Sequence, residues 1–232
     1  VTLAPFRYAR QQYATAEQHA ETVAAEEQPN TWLARYFPTY VRAGFAAHHD
    51  TFWAWVWAIK LGLRPPPFIA IWPRGGAKST SAELAVAALG ARNTRRYVLY
   101  VCETQEQADD HVANIASLLE TGSIGRDYPR LGGRLVGKFG NSKGWRRNRL
   151  RTASGFTIDA IGLDTAARGV KLEDQRPDLL VIDDIDSELD TAATTQKKIK
   201  TLTRKLMPAG APDLAVLFIQ NLVHPESIAA QL

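Results

Sequence analysis

One cysteine, one methionine and no long apolar run mark what this 232-residue chain does without. The lone Cys102 has no second thiol to meet, which excludes an internal disulfide and fits a reducing cytoplasm. The longest unbroken apolar run, residues 52–59, is less than half of the roughly 20 residues a membrane-crossing helix needs. Val1 to Arg7 lack the charged-then-apolar order of a signal peptide, so none is expected. A strong excess of one charge is missing too: 28 Lys and Arg against 24 Asp and Glu leave +4. That balance permits a polyanionic partner without identifying one. With 45% hydrophobic and 22% charged residues, what is there can bury a full-sized core, which excludes a disordered or collagen-like chain. The length predicts one large domain with a small appendage. The single methionine is Met207, the chain begins with Val, and Leu232 falls in a helical pattern, so a piece of a longer protein is expected.

Residues 8–28 are rich in Ala, Glu and Gln and predict a polar helix closed by Pro29 and Asn30. Residues 31–60 predict two aromatic-rich helical stretches interrupted by Pro38 and Gly44, so residues 1–60 are expected to form a helical subdomain packed on a core of residues 61–232. Pro65 to Pro67 break any helix before the strand-length run 68–72. Residues 79–89 predict a buried helix stopped by Gly90, and 97–101 a second strand. Residues 105–119 predict an amphipathic helix with Ala108, Val112, Ile115 and Leu119 on one face. Residues 122–144 are Gly-rich and irregular, 145–161 alternate like a hairpin around Ala153-Ser154-Gly155, and 179–182 and 215–219 are two further buried strands. Strands separated by helical patterns predict a three-layer α/β domain with a mainly parallel sheet.

Two stretches carry chemistry. Trp72-Pro-Arg-Gly-Gly-Ala-Lys-Ser-Thr80 lies between the first predicted strand and its helix, where α/β folds place anion-binding loops. The small residues Gly75, Gly76 and Ala77 let backbone N–H groups close around phosphate oxygens, and the helix adds its positive end. Lys78 would reach the β and γ phosphates, and the Ser79 hydroxyl would ligate Mg²⁺. Trp72 and Ala77 stand where the usual G-x-x-x-x-G-K-[ST] pattern has glycines; a Gly-Gly turn with a chance Lys-Ser is the rival reading. Downstream, Asp178-Leu-Leu-Val-Ile-Asp183-Asp184 is a buried strand running into paired carboxylates. Asp183 is assigned to the metal and Asp184 to the attacking water. Adjacent carboxylates repel unless a cation sits nearby. A solvated acidic loop is the rival here, since Asp186, Glu188 and Asp190 follow.

These residues resemble the ATPase domain of the large terminase subunit, the DNA-packaging motor protein of tailed bacteriophages. The features that carry the resemblance are Pro73-Arg-Gly-Gly-Ala-Lys-Ser-Thr80, Ala167-Arg-Gly169 followed by Arg176-Pro-Asp-Leu-Leu-Val-Ile-Asp-Asp184, and the strand order around them. The resemblance runs from about Pro65 to His224. It implies a P-loop NTPase fold of the RecA/ASCE type, with ATP and Mg²⁺ as cofactors and Thr80 beside the phosphates. Arg74 would sense the γ phosphate, Arg168 would be the arginine finger completing a neighbour's site in a ring, with Arg176 as competitor, and Asp184 stands where most relatives carry Glu. Asn221, in Ile219-Gln220-Asn221, would be the polar coupling residue, with an ordinary strand cap as the alternative. The implied partners are double-stranded DNA, the portal protein and the small terminase subunit; the implied location is the host cytoplasm at the procapsid portal. A ring is expected when active and a monomer in isolation. Large terminases continue into a nuclease domain; nothing after Asn221 offers an acid cluster, so no nuclease activity is expected of these residues.

Lys138, Lys143, Arg146, Arg147, Arg149 and Arg151 surround Trp145 with no acid among them, a pattern for sequence-independent phosphate contact. A second basic run, 197–205, lies on a predicted helix. For each, a solvated face or a contact between ring subunits is the competing reading. His48 and His49 lack the companions of a zinc set and read as structural or surface residues, and Cys102 as a small apolar group. Two rival functions share these motifs: a helicase-like nucleic-acid ATPase, and a nucleotide-binding assembly scaffold that does not hydrolyse.

Overall fold

The structure is a computed structural model that describes residues 15–42, 44–164, 175–223 and 225–231. Its centre is a six-stranded sheet of order β1-β6-β5-β2-β4-β3, built from β1 (Phe68–Ile71), β2 (Tyr97–Cys102), β3 (Arg149–Arg151), β4 (Thr157–Gly162), β5 (Leu179–Asp183) and β6 (Ala215–Gln220). Five strands run parallel, and β3 pairs antiparallel with β4 through the turn at Gly155, whose φ of +91° suits glycine. The central strands read as continuous apolar runs because both faces are covered. Val98, Tyr100, Leu179, Val181, Leu217 and Ile219 enter one core; Leu99, Val101, Leu180, Ile182, Val216 and Phe218 enter the other.

The first core is roofed by α1 (Ala16–Glu26), α2 (Pro29–Tyr36), α3 (Ala47–Ala58), α4 (Lys78–Ala91) and α5 (Gln105–Leu119). The second packs on α8 (Ala192–Thr201), the π-helical turn Leu202–Leu206 that continues it, and the 3₁₀ turn Ala229–Gln231. α5 starts with a capping box, in which Thr104 and Gln107 bond each other's backbone N–H, and buries the expected stripe Ala108, Val112, Ile115 and Leu119. Among the described residues no helix is long and apolar enough to cross a membrane.

Three local expectations are corrected. Pro29 does close the first helix, but it also opens α2, because a proline at the first helical position forfeits only an N–H that would have no helical partner. Gly90 does not stop α4; it lies inside the helix, where an added Cβ would come 2.9–3.0 Å from three ring carbons of Phe156. The segment after α5 is not wholly irregular, since it holds the short helices α6 (Gly122–Asp127) and α7 (Pro129–Gly132).

The N-terminal helices are bolted to α6 through a buried carboxylate. Asp127 accepts hydrogen bonds from Gln18 Nε2 at 3.0 Å, Arg35 Nε at 2.9 Å, Tyr36 Oη at 3.0 Å and Arg126 Nε at 2.7 Å. Buried Arg95 holds the linker into β1, donating to the carbonyls of Lys60 at 3.0 Å, Leu63 at 2.8 Å and Asp213 at 3.1 Å. Asp178 plays a comparable part between strands: its carboxylate accepts the N–H of Arg96 and of Tyr97 at 2.9 Å each, tying the start of β2 to that of β5.

Candidate functional site

Parallel strands end together, so the register of β1, β6 and β5 decides which side chains meet. Ile71 pairs with Gln220, and Ile219 with Asp183, which places the loop after β1, the polar end of β6 and the acids of β5 on one edge. The loop is shaped by two left-handed residues, Gly75 at φ +81° and Ala77 at φ +53°, and by a turn in which Gly76 N–H donates to Pro73 O at 3.1 Å. A Cβ on Gly76 would lie 3.1 Å from that same carbonyl oxygen, so the close turn favours glycine there. Ala77 occupies the N-cap of α4 and offers no capping side chain, leaving the first-turn N–H groups directed at whatever the loop encloses.

Lys78 is buried beneath the loop, where its Nζ donates to Asn221 Oδ1 at 2.6 Å and to Pro73 O at 3.1 Å. Burial pushes its pKa down, against the pull of Asp184 and Asp183. The Ser79 hydroxyl donates to Asp183 Oδ1 at 3.2 Å, and the Tyr100 hydroxyl to Oδ2 at 2.8 Å. Asp183 is fully buried, which raises its carboxyl pKa, while His111, Tyr100 and Ser79 oppose the rise. Its neighbour Asp184 is exposed and left-handed at φ +50°, so two adjacent carboxylates of one strand end occupy different environments. Asp184 Oδ1 accepts from Gln220 Nε2 at 3.1 Å and Asn221 Nδ2 at 3.4 Å. The Gln220 amide is held in that orientation because its oxygen accepts the N–H of Ile185 at 2.7 Å and of Asp186 at 3.3 Å.

The structure thus brings together Gly75, Gly76, Ala77, Lys78, Ser79, Asp183, Asp184 and Asn221. Thr80 is exposed on the first turn of α4. Arg74 points outward, its side chain 79% exposed and 3.8 Å from Glu188. Arg168, the expected finger, lies outside the described residues, and Arg176 is exposed. Beside the loop runs a cleft of about 510 Å³ lined by Trp72, Arg74, Glu188, Asn221 and Leu222, among others.

Three participants, His111, Glu83 and Tyr100, escaped the reading of the sequence. His111 on α5 places Nδ1 2.7 Å from Glu83 Oε1 and Nε2 3.6 Å from Asp183 Oδ2, and its ring stacks on Tyr100. Glu83 also accepts from Asn114 Nδ2 at 3.0 Å. The signal was helical spacing: Glu83 lies one turn beyond Ser79 in α4, and His111 sits at i+3 from Ala108 and i−4 from Ile115 in the buried stripe. His49, expected as a structural or surface residue, reaches the loop itself, with Nε2 3.2 Å from Gly76 O. It stands with His48 and Phe52 around Trp72, so α3 braces the loop from behind.

Among the described residues no group of three or more His, Cys, Asp or Glu side chains is placed to hold a metal ion. Ser79 and Asp183 together offer a hydroxyl and a carboxylate oxygen, a donor set that suits Mg²⁺, which binds through one or two protein oxygens plus phosphate and water. No protein-family model and no curated protein matches the chain.

Proposed function

We propose that this chain is a Mg²⁺-dependent ATPase of the viral DNA-packaging type, the motor domain of a large terminase with a P-loop fold of the RecA/ASCE kind. One observation carries the reading: a loop lysine joined to Asp184 through Asn221, and a loop hydroxyl bonded to Asp183, converge on two strand-end carboxylates although they come from distant stretches of chain. The uncapped start of α4 and the Gly76 turn fit a phosphate chain, and the adjoining cleft has room for the rest of a nucleotide.

In this reading the backbone N–H groups of residues 75–79 and Lys78 hold the β and γ phosphates, with Asn221 as the group Lys78 turns from or toward. Ser79 and Asp183 hold Mg²⁺, which when bound neutralises charge on the transferring phosphoryl group. Tyr100 and His111 fix the Asp183 carboxylate from behind. Asp184, exposed and outside the buried layer, orients the attacking water, and Gln220 and Asn221 hold its carboxylate. Arg168 supplies the finger in a ring, and movement is passed to double-stranded DNA.

A second reading, a nucleotide-binding scaffold that does not hydrolyse, is favoured by one fact: both amides at the end of β6 engage the same Asp184 oxygen, which restrains the group a water must meet. Calorimetric titration of a non-hydrolysable ATP analogue with Mg²⁺ into this chain and into Lys78→Ala tests the shared premise. Both readings require binding that the substitution weakens at least tenfold, about 1.4 kcal/mol. Equal binding by the two proteins would remove Lys78, and the nucleotide site, from the account.

A further inference from the structure

Residues 128–158 contain no acid and hold eight Arg and Lys. The fold spends part of that charge internally: Arg134 pairs with Glu120 at 2.7 Å, Arg147 with Asp110 at 2.9 Å, and Arg149 with Asp159. Lys138, Lys143 and Arg146 are exposed and form no ion pair with a described residue.

Two of those three lie on a small two-stranded ribbon. Leu135 N–H donates to Arg151 O at 3.0 Å and Lys143 N–H to Leu135 O at 2.7 Å, Val136 bridges Ser142, and Gly137 N–H donates to Asn141 O at 2.8 Å. Gly140, left-handed at φ +78°, turns the tip. The side chain set on that tip is Phe139, 86% exposed, with Val136 at 59% below it. One exposed phenylalanine is ordinary. A phenylalanine raised on a ribbon and flanked by exposed cations is an apolar probe inside a positive field.

The ribbon also has a direction. Residue 134 bridges antiparallel to Thr152, and β3 is antiparallel to β4, so the strand leaving residue 134 runs the way β4 does, toward the sheet edge that carries Lys78 and Asp183. Arg147, at its base, is fastened to Asp110 of α5, whose next residue is His111 beside Asp183. The rival basic run is a poorer surface. Lys198 is buried, with Nζ 2.9 Å from Glu103, 2.6 Å from Asp190 and 2.7 Å from Ile185 O, and the acids 183–190 precede it.

We infer that the ribbon 134–143 is the DNA-gripping element, entering the major groove of a duplex with Phe139 against the base edges while Lys138, Lys143 and Arg146 meet phosphates on its walls. This rests on double-stranded DNA being the partner. The groove, roughly 12 Å wide, admits a two-stranded ribbon, and contact of this kind is sequence-tolerant, with affinity set by phosphate neutralisation.

The test is anisotropy of a fluorescent mixed-sequence duplex of about 30 base pairs, titrated with the whole chain across a salt series that begins near 50 mM. Lys138→Ala/Lys143→Ala/Arg146→Ala should weaken binding more than tenfold and flatten the salt slope by about 2 to 3, close to 0.9 per lost phosphate contact. Phe139→Ala should weaken it several-fold at unchanged slope, with Phe139→Trp retaining affinity, while Lys197→Ala/Lys200→Ala/Arg204→Ala leaves it as it was. Duplex binding that survives the hairpin changes, or is lost with the α8 changes, overturns the inference and leaves the DNA reading standing. Tighter binding of single strands than of duplex overturns the groove placement. No binding by the unaltered chain even at the lowest salt overturns the DNA reading, and the inference with it.

Discussion

Ser79 and Asp183 stand 104 positions apart in the chain and meet hydroxyl to carboxylate at 3.2 Å. The contact exists because β1 and β5 run parallel, one strand apart, so that the residue opening α4 and the residue ending β5 reach the same edge. Burial disfavours the charged form of Asp183 and raises its carboxyl pKa. Asp183→Asn should therefore change folding stability by no more than about 1 kcal/mol, because the isostere keeps the shape and removes a charge that burial disfavours. It should abolish the part of nucleotide affinity that depends on Mg²⁺ while leaving metal-free binding within about threefold, a gap of roughly 0.65 kcal/mol. Calorimetry with and without Mg²⁺ reads both numbers, and an unchanged metal dependence would take Asp183 out of the metal's coordination.

Asp184 carries the opposite expectation. It is exposed, its backbone is left-handed, and its carboxylate is steered by Gln220 and Asn221. A positioned carboxylate of this kind is worth about 10²–10⁴ in rate. Asp184→Asn should lower steady-state phosphate release by that factor and leave binding of the ATP analogue nearly unchanged. If the unaltered chain binds nucleotide tightly, assembles and still releases no phosphate, the scaffold reading replaces the motor.

How much of this was legible follows from which residues announce themselves locally. The strands were readable because burial on both faces makes them unbroken apolar runs, and residues 105–119 because their buried stripe keeps helical spacing. The loop and the acids were readable because chemistry fixes the order of Gly, Lys, Ser and of Asp-Asp along the chain. His111, Glu83 and Tyr100 were not, because His111 and Tyr100 reach Asp183 from α5 and β2, and Glu83 acts on it only through His111, across three elements that the order of the chain does not connect. The basic segment looked like six equivalent charges; only the fold tells Arg147 and Arg149, already paired with acids, from Lys138, Lys143 and Arg146.

Gly90 shows the same limit, with a measurable consequence. A glycine after an apolar helical run reads as a stop, yet here Gly90 is the second-last residue of the helix and the Phe156 ring occupies the place of a Cβ. Alanine is the better helix former by about 1 kcal/mol, so helix propensity alone predicts that Gly90→Ala stabilises. The ring contact at 2.9–3.0 Å reverses the sign, since overpacking a core costs about 1–3 kcal/mol and the ring is buried in the first core. Gly90→Ala should lower the urea midpoint, and adding Phe156→Leu should recover part of the loss. Stabilisation by Gly90→Ala alone would mean that the ring yields at no cost.

Asp127 offers the clearest dependence on pH. Burial on its own would raise the pKa of this carboxyl, but hydrogen bonds from Arg126, Gln18, Arg35 and Tyr36 outweigh it and hold the pKa well below the usual carboxylate value near 3.8. A group whose folded pKa is depressed contributes stability that is fully present above its unfolded pKa and disappears as pH falls through the folded one. The contribution is therefore intact at neutral pH and erodes below about pH 4. Asp127→Asn removes the charge at every pH and leaves the half-buried Arg35 with Glu21 as its one remaining carboxylate among the described residues, so about 2 kcal/mol should be lost at pH 7. Because α1 and α2 are tied to α6 through this side chain, amide exchange in residues 16–36 should speed up before that of β2 and β5. Urea midpoints of the two proteins should draw together as pH is lowered from 5 toward 2. A gap that stays constant over that range would show that the charge of Asp127 contributes nothing and that only its shape is needed.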